Sequence, residues 1–257
     1  MSFELALILA FFILGVTAVV MVVIVISRRQ AAKEEEMKQA ASARGWTFAT
    51  TREKGYRIHR WTGSTDGIPW IAESLAQSAG GHNRQQRRRQ IGRWHGSYSP
   101  GINAPIAVMG VPKGKEAVAP QIAEGVSWVA KLAQKAVGFA FDKAIDFYFG
   151  DAIGKEVDAG AMHRIDGQKI PGFIVMAADR DEGARILSQG FEKALTDLTS
   201  DRASVMSNDN RPWVLLRPNA ISLARMEQLR DVAELDGFVR AGVALTRAFT
   251  FGRRSLS

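Results

Sequence analysis

The chain has 257 residues, no cysteine and a formal net charge of +8 at pH 7. The lack of cysteine excludes disulfide bonds, thiolate nucleophiles and cysteine-ligated metals. The basic excess indicates a polyanionic neighbour, which is either an anionic membrane surface or nucleic acid.

The first 27 residues predict a membrane anchor, because no charged residue occurs in the 22 residues from Leu5 to Ile26. As an α-helix this run reaches roughly 33 Å, enough for a hydrocarbon core of about 30 Å. The alternative, a cleaved signal peptide, needs a basic start and a shorter apolar stretch. We therefore expect a retained transmembrane helix whose anchoring side chains include Leu5, Phe11, Phe12, Val20 and Ile26.

The charges that flank this span predict its orientation. Glu4 precedes the span, whereas Arg28, Arg29 and Lys33 follow it. Basic residues stay on the cytoplasmic side, so we expect the N-terminus outside and the rest of the chain in the cytoplasm. Residues 28–257 contain all 34 basic residues and 25 of the 26 acidic ones, a net charge of +9. This pattern is typical of a single-pass membrane protein with a cytoplasmic domain.

A charged stalk and a β-rich region follow the anchor. Residues 28–45 consist of strong helix formers and predict a helix that continues from the anchor and ends at Gly45. Beyond it, residues 46–111 show short alternating runs separated by turn residues. We expect a hairpin with a longer loop over 63–67, and four strands at Tyr56–Trp61, Ile68–Glu73, Gly92–Tyr98 and Ala104–Met109.

Residues 118–149 predict a long amphipathic helix with a wide apolar face. One interpretation packs this face on the sheet; the other places it against a partner subunit or in the headgroup layer. Packing on the sheet is the leading interpretation, and the unusually aromatic end supports the alternative, a partner face at Phe139, Phe141, Phe147, Tyr148 and Phe149.

The last part of the chain returns to mixed structure. A buried strand is predicted at Gly172–Ala177, and Asp179 or Asp181 is expected to cap the helix that follows. The remaining predictions are strands at Ala203–Met206 and Pro212–Leu216, a last helix at about 222–248, and a basic tail at 251–257.

Two short stretches carry a resemblance. Ala43-Arg-Gly-Trp46 opens the β-rich region directly after the stalk, and Phe173-Ile-Val-Met-Ala-Ala-Asp-Arg-Asp-Glu-Gly-Ala-Arg-Ile-Leu187 runs from a strand into a helix. With the N-terminal anchor, this layout resembles bacterial single-pass inner-membrane proteins whose cytoplasmic domain has no known function. The resemblance implies a bacterial inner-membrane location and no particular activity.

An arginine cluster is the most unusual local feature. Its guanidinium groups suit phosphate oxygens, and for a tethered domain the nearest phosphates are lipid headgroups. A solvated loop between two strands is the alternative, and nucleic acid is less favoured because no recognition helix or RNA-binding signature accompanies the cluster. The predicted lipid or polyanion contact consists of Arg84, Arg87, Arg88, Arg89 and Arg93.

No motif predicts a cofactor, a metal site or a catalytic set. The histidines His59, His82, His95 and His163 have no metal-binding spacing. The segment Gly110–Glu116 departs from a phosphate-binding loop in both its spacing and its last residue. Nor does the sequence identify a small-molecule substrate.

These features predict an α+β fold, in which one transmembrane helix precedes a domain at 46–250 with antiparallel strands and about three long helices. The alternative is two subdomains, 46–112 and 158–250, joined by helix 118–149. The first functional hypothesis is a non-enzymatic, membrane-tethered interaction or scaffold protein that contacts a membrane complex or anionic lipid. An enzyme acting on a membrane-associated substrate is the second, and a nucleic-acid-binding protein is the third.

Overall fold

The structure is a computed structural model that describes residues 3–53, 55–77, 90–98, 101–111, 141–165, 170, 172–186, 193, 195 and 211–254. The chain forms two compact units, Met1–Gly45 and Trp46–Ser257, and the second is called the domain below. The predicted strand Ala203–Met206 and the part of the predicted helix before residue 141 lie outside the described residues.

The first unit is one continuous helix, α1 (Phe3–Ser42), of 40 residues. It confirms the prediction that the stalk continues the apolar helix without a break. The helix ends in a turn in which Gly45 has a φ of 71°, a conformation that glycine adopts without strain. From Phe12 to Ile26 every side chain is exposed, and α1 is long and apolar enough to cross a membrane.

The described part of the domain contains a nine-stranded antiparallel sheet, in the order β1-β2-β3-β4-β9-β8-β5-β7-β6. This sheet confirms the predicted α+β fold and its antiparallel strands. The strands are β1 (Thr47–Glu53), β2 (Tyr56–Thr65), β3 (Ile68–Gln77), β4 (Gln90–Ser97), β5 (Ile106–Gly110), β6 (His163–Arg164), β7 (Phe173–Ala177), β8 (Trp213–Arg217) and β9 (Ala220–Arg225).

The first predicted hairpin exists, but its loop is shorter than expected. Thr65 pairs with Ile68, which leaves Asp66 and Gly67 as a two-residue turn. Both have a positive φ, 54° and 77°, as a type I′ turn requires. The expectation of a longer loop over 63–67 was therefore wrong, because Gly63 to Thr65 extend β2 instead of leaving it.

The helices of the domain include residues 141–149 (α2), α3 (Asp151–Gly154), α4 (Arg180–Ile186) and α5 (Val232–Arg254), with a 3₁₀ turn at Ala159–Ala161. Asp179 caps α4, since its Oδ1 accepts hydrogen bonds from the N–H groups of Asp181 and Glu182. This result confirms the first of the two predicted caps.

The predicted last helix at 222–248 was wrong in its first third. Ala220–Arg225 is β9, which lies between β4 and β8 in the middle of the sheet, and the helix begins only at Val232. Pro218 and Asn219 form the turn between β8 and β9, since Arg217 pairs with Ala220. Pairing on both sides outweighs the helix propensity of this segment.

Helices cover both faces of the sheet. On one face α5 packs across β3, β4 and β9. There Trp94 is completely buried, and Gly96 of β4 and Gly242 of α5 leave room for its indole. On the other face α2 packs its apolar side on β5, β7 and β8. The domain is therefore a sheet between helices, with buried apolar side chains on both faces.

Candidate functional site

The predicted partner face of α2 lies mostly inside the domain. Phe141 and Phe149 are buried in the core cluster that includes Met176 and Leu215. Tyr148 stacks on Trp213 with ring centroids 4.2 Å apart. Burial raises the pKa of the Tyr148 hydroxyl to about 12. The described end of this helix is therefore a core element.

The two remaining aromatic residues of that set differ from each other. Phe147 packs, partly buried, against a second small cluster made by Ile58, Leu75 and Ile91. Phe139 lies outside the described residues. The described aromatic side chains of 141–149 are buried or half-buried, so little of their apolar surface is left for a partner or for lipid.

Of the arginine cluster, the structure describes Arg93, on β4; Arg84, Arg87, Arg88 and Arg89 lie outside the described residues. The guanidinium of Arg93 donates hydrogen bonds to the carbonyl oxygens of Phe147 and Tyr148, each at 2.7 Å. Its side chain is 12% exposed. The structure thus separates Arg93 from a surface contact, because its donors point into the domain.

Arg93 acts as a cap for α2. The last carbonyl groups of a helix have no partner within the helix, and they carry a partial negative charge that a cation stabilises. Arg93 satisfies two of these carbonyls from the neighbouring sheet. Burial lowers its pKa from the ordinary value, an effect that the nearby carboxylates of Glu73 and Asp151 oppose. At neutral pH the group remains charged.

A polar network surrounds Arg93 on this face of the sheet. Glu73 lies directly opposite Arg93 and also opposite Arg60, so one carboxylate faces two arginines. Arg60 Nη2 lies 2.7 Å from Glu73 Oε1, and Arg93 Nη1 lies 3.8 Å from Glu73 Oε2. Further along the sheet, Arg217 forms an ion pair with Glu156.

His95 and Ser222 lie at the centre of this network. Nδ1 of His95 is 2.9 Å from the Ser222 hydroxyl oxygen. Burial, together with the positive charges of Arg93, Arg217 and Arg60, lowers the pKa of the imidazole to about 3. His95 is therefore neutral throughout the physiological pH range.

The His95–Ser222 pair has the residue types of a base and a nucleophile, but its surroundings do not suit catalysis. A nucleophile must reach the substrate, and Ser222 is completely buried. Its hydroxyl therefore serves an internal hydrogen bond between β4 and β9. The second functional hypothesis, an enzyme, gains no support from this pair.

Other polar groups of the domain have structural roles. Glu182 is buried and accepts hydrogen bonds from the backbone N–H groups of Asn103 and Ala104, at 3.0–3.1 Å, which fixes the loop before β5. His59 lies in the core beside Phe48 and Trp61. Within the described ranges, no group of three or more metal-ligating side chains occurs.

Sequence reasoning missed the network around Glu73, although a signal for it exists. Once Asp66-Gly67 is recognised as a two-residue turn, counting back along both strands places Arg60 opposite Glu73. The pairing of Glu73 with Arg93 depends on β4, which is separated from β3 by residues 78–89, so turn chemistry alone does not reveal it.

Comparison with known proteins adds no identity to this geometry. No family model, no curated protein and no solved structure matches the chain. An exposed N-terminal helix such as α1 occurs both in single-pass membrane proteins and in signal sequences, and the chain is compatible with a single-pass membrane protein.

Proposed function

We propose that this chain is a non-enzymatic, membrane-tethered interaction protein of a bacterial inner membrane. In this proposal α1 is a retained anchor with its N-terminus outside, and the domain lies in the cytoplasm. There the domain contacts the anionic lipid surface or a membrane protein complex that lies on it.

The observation that carries the proposal is the exposure of an apolar helix. Phe12, Leu14 and Val19 of α1 expose 68%, 70% and 64% of their surface. Soluble proteins rarely expose a contiguous apolar surface of this size. A lipid environment removes that surface from water and also suits a segment that satisfies its own backbone hydrogen bonds.

The positive charge of the chain after the anchor supports an anionic neighbour for that part of the protein. Residues 28–257 carry a net charge of +9, and Arg28 and Arg29 directly follow the apolar run. Each basic residue near an anionic leaflet contributes about 1 kcal/mol of attraction. The positive charge also favours retention of this part of the chain on the cytoplasmic side.

With the described aromatic end of α2 inside the core, the arginine cluster is the remaining predicted contact. Arg84, Arg87, Arg88 and Arg89 provide four guanidinium groups within six residues. Guanidinium groups bind phosphate oxygens through paired hydrogen bonds, so phospholipid headgroups are suitable partners. The proposal therefore assigns the lipid contact to these four arginines.

Hydrogen exchange of the full chain in lipid nanodiscs tests this proposal. We expect backbone exchange within residues 81–93 to slow when anionic lipid replaces part of the neutral lipid. The variant Arg87→Gln/Arg88→Gln should lose most of that protection. A matched variant, Arg230→Gln/Arg240→Gln, removes two exposed arginines elsewhere in the domain and should retain it.

Two results would contradict the proposal. The first is equal exchange of residues 81–93 in neutral and anionic nanodiscs. The second is an N-terminus shortened by cleavage after the apolar run, which intact-mass measurement of the membrane fraction detects.

A further inference from the structure

The two edges of the sheet differ in length. At one edge β6 has two residues, whereas at the other β1 has seven. Natural proteins protect sheet edges by keeping them short, covered or charged, because an open edge is a template for another strand. β6 is short enough to be protected by its length, whereas β1 is too long for that protection.

The hairpin register shows which backbone groups of β1 point away from β2. Glu53 pairs with Tyr56, so two residues separate the strands. In such a hairpin the closing pair is hydrogen-bonded, and bonded pairs alternate along the ladder. Glu53, Thr51, Ala49 and Thr47 therefore bond to β2, whereas the N–H and C=O groups of the alternate residues point outward.

The residues whose backbone N–H and C=O groups point away from β2 are Phe48, Thr50 and Arg52. Five of the seven residues of β1 are exposed, including Thr50 and Arg52. The two charged residues of β1, Arg52 and Glu53, are its last two, so Thr47 to Thr51 carry none of the charges that commonly prevent edge pairing. Among the described residues, β2 is the one strand that pairs with β1.

We propose that β1 is an interaction surface for a second copy of this chain. Two β1 strands pair antiparallel about a two-fold axis at Thr50, so that the two sheets join into one. In this register Thr50 faces Thr50 of the partner subunit, and Phe48 faces the partner's Arg52. Every outward-pointing residue then meets an outward-pointing residue, which forms about six backbone hydrogen bonds across the interface.

The side chains fit this pairing. No like charges lie opposite each other, because Arg52 faces an aromatic ring and Glu53 faces a threonine hydroxyl. An arginine beside an aromatic ring is attracted to it, and a carboxylate accepts a hydrogen bond from a hydroxyl. A register shifted by two residues shortens the overlap and loses a pair of bonds. The two-fold register therefore uses the edge most completely.

The position of β1 in the chain favours a copy of the same protein over another partner. β1 begins at Thr47, five residues after the last residue of α1. Two copies anchored in one membrane share a plane, which raises the effective concentration of each edge for the other. The symmetric contact closes at two subunits, as a two-fold interface does. This choice of partner rests on the proposed anchor α1, and it does not depend on the proposed lipid contact of the arginine cluster.

Cysteine cross-linking in native membranes tests the two-fold register, and the absence of cysteine from the chain removes any background. In the proposed dimer the two Thr50 Cα atoms are about 5.5 Å apart, within disulfide range. The two Thr47 Cα atoms are about 20 Å apart. Under mild oxidation we expect Thr50→Cys to form a covalent dimer and Thr47→Cys, an exposed control on the same strand, to remain monomeric.

A backbone variant tests the same surface without cross-linking. Thr50→Pro removes an N–H group that β2 does not use, and proline is tolerated at such an edge position. We expect the full chain with Thr50→Pro to have half the wild-type mass in detergent by light scattering, whereas Thr50→Val, which keeps the N–H, stays dimeric. The proposal is overturned if Thr50→Cys stays monomeric, if Thr47→Cys cross-links as fast, or if both Thr50 variants have the same mass.

Discussion

The role of Arg93 in the structure differs from the role that the sequence predicts for it. In the sequence it belongs to a run of arginines that suits a surface polyanion contact. In the domain its guanidinium lies between the Glu73 carboxylate and two carbonyl groups at the end of α2. The difference arises because β4 alternates its side chains, which directs Arg93 toward α2.

Replacing Arg93 should therefore destabilise the domain. We expect Arg93→Met to lower the free energy of unfolding by about 3 kcal/mol, since it leaves two buried helix carbonyls without a donor and Glu73 with Arg60 as its remaining cation. Arg60→Met removes the more exposed partner of the same carboxylate and should cost below about 1 kcal/mol. Urea denaturation of the domain measures both; equal losses would contradict the capping role.

His95 makes a second prediction at the scale of single residues. Its folded pKa of about 3 lies below the unfolded value of 6.5, so unfolding takes up a proton between these two values. Stability should fall as the pH drops below about 6.5, with a slope approaching ~1.4 kcal/mol per pH unit. His95→Asn, which keeps a polar group near Ser222, should remove that slope between about pH 6 and pH 5.

Comparison of urea midpoints for the two proteins at several pH values checks this prediction. The two proteins share every other titratable group, so the difference between them reports His95. If the wild type and His95→Asn lost stability in parallel from pH 6.5 downward, the imidazole would not be the group responsible.

At the scale of elements, the contact between α5 and β4 is set by two glycines around one indole. A Cβ atom at Gly242 would lie 2.3 Å from Trp94 Cδ2, and one at Gly96 would lie 2.3 Å from its Cη2. Glycine weakens a helix interior by about 1 kcal/mol relative to alanine. Here that loss is offset because the close approach lets Trp94 be completely buried.

The effect of Gly242→Ala should therefore be opposite to the one expected from the higher helix propensity of alanine. We expect it to destabilise the domain by about 2 kcal/mol through overpacking, instead of stabilising it. In a Trp94→Phe background the same change should cost less, because the smaller ring leaves space for the added methyl group. A double-mutant cycle by thermal unfolding measures the coupling, and additive effects would show that the two residues do not restrict each other.

At the scale of the whole molecule, the apolar residues of α1 precede nearly all the charged residues of the chain. The apolar run contains no charge, and every basic residue of the chain follows it. This asymmetry determines the expected orientation, since basic residues next to a span resist translocation.

Reversing the asymmetry should reverse the orientation. We expect Arg28→Glu, Arg29→Glu and Lys33→Glu, combined with Ser2→Lys and Glu4→Lys, to place the domain outside the membrane. Protease accessibility of the domain in intact cells measures the change. The control carries the three reversals Arg230→Glu, Arg240→Glu and Arg247→Glu, far along the chain from the span, and should keep the wild-type orientation. An unchanged topology in the first variant would contradict the orientation rule for this chain.

Features that depend on neighbours in the sequence were predictable. The continuous helix α1, its end before Gly45, the cap at Asp179 and the strand at 173–177 each follow from local propensity or from a local hydrogen bond. The Asp66-Gly67 turn could have been predicted in the same way, since this dipeptide is a strong hairpin signal. The expectation of a longer loop gave too much weight to Gly63.

The candidate site was less predictable, because its members come from distant parts of the chain. His95 and Ser222 are 127 positions apart, and Arg93 reaches carbonyls 54 and 55 positions away. Neither spacing leaves a pattern in one sequence. β9 was missed for the same reason, since its stability comes from β4 and β8 on its two sides.

The sequence by itself determined the apolar helix, its length and the charge asymmetry around it, because a membrane span and its flanks are defined by consecutive residues. Only the tertiary structure decided that β9 joins the two halves of the sheet, that Arg93 and the described aromatic end of α2 face inward, and that β1 forms a long outer edge. Those outcomes depend on which strands pair, and strand pairing brings together residues that the linear sequence keeps apart.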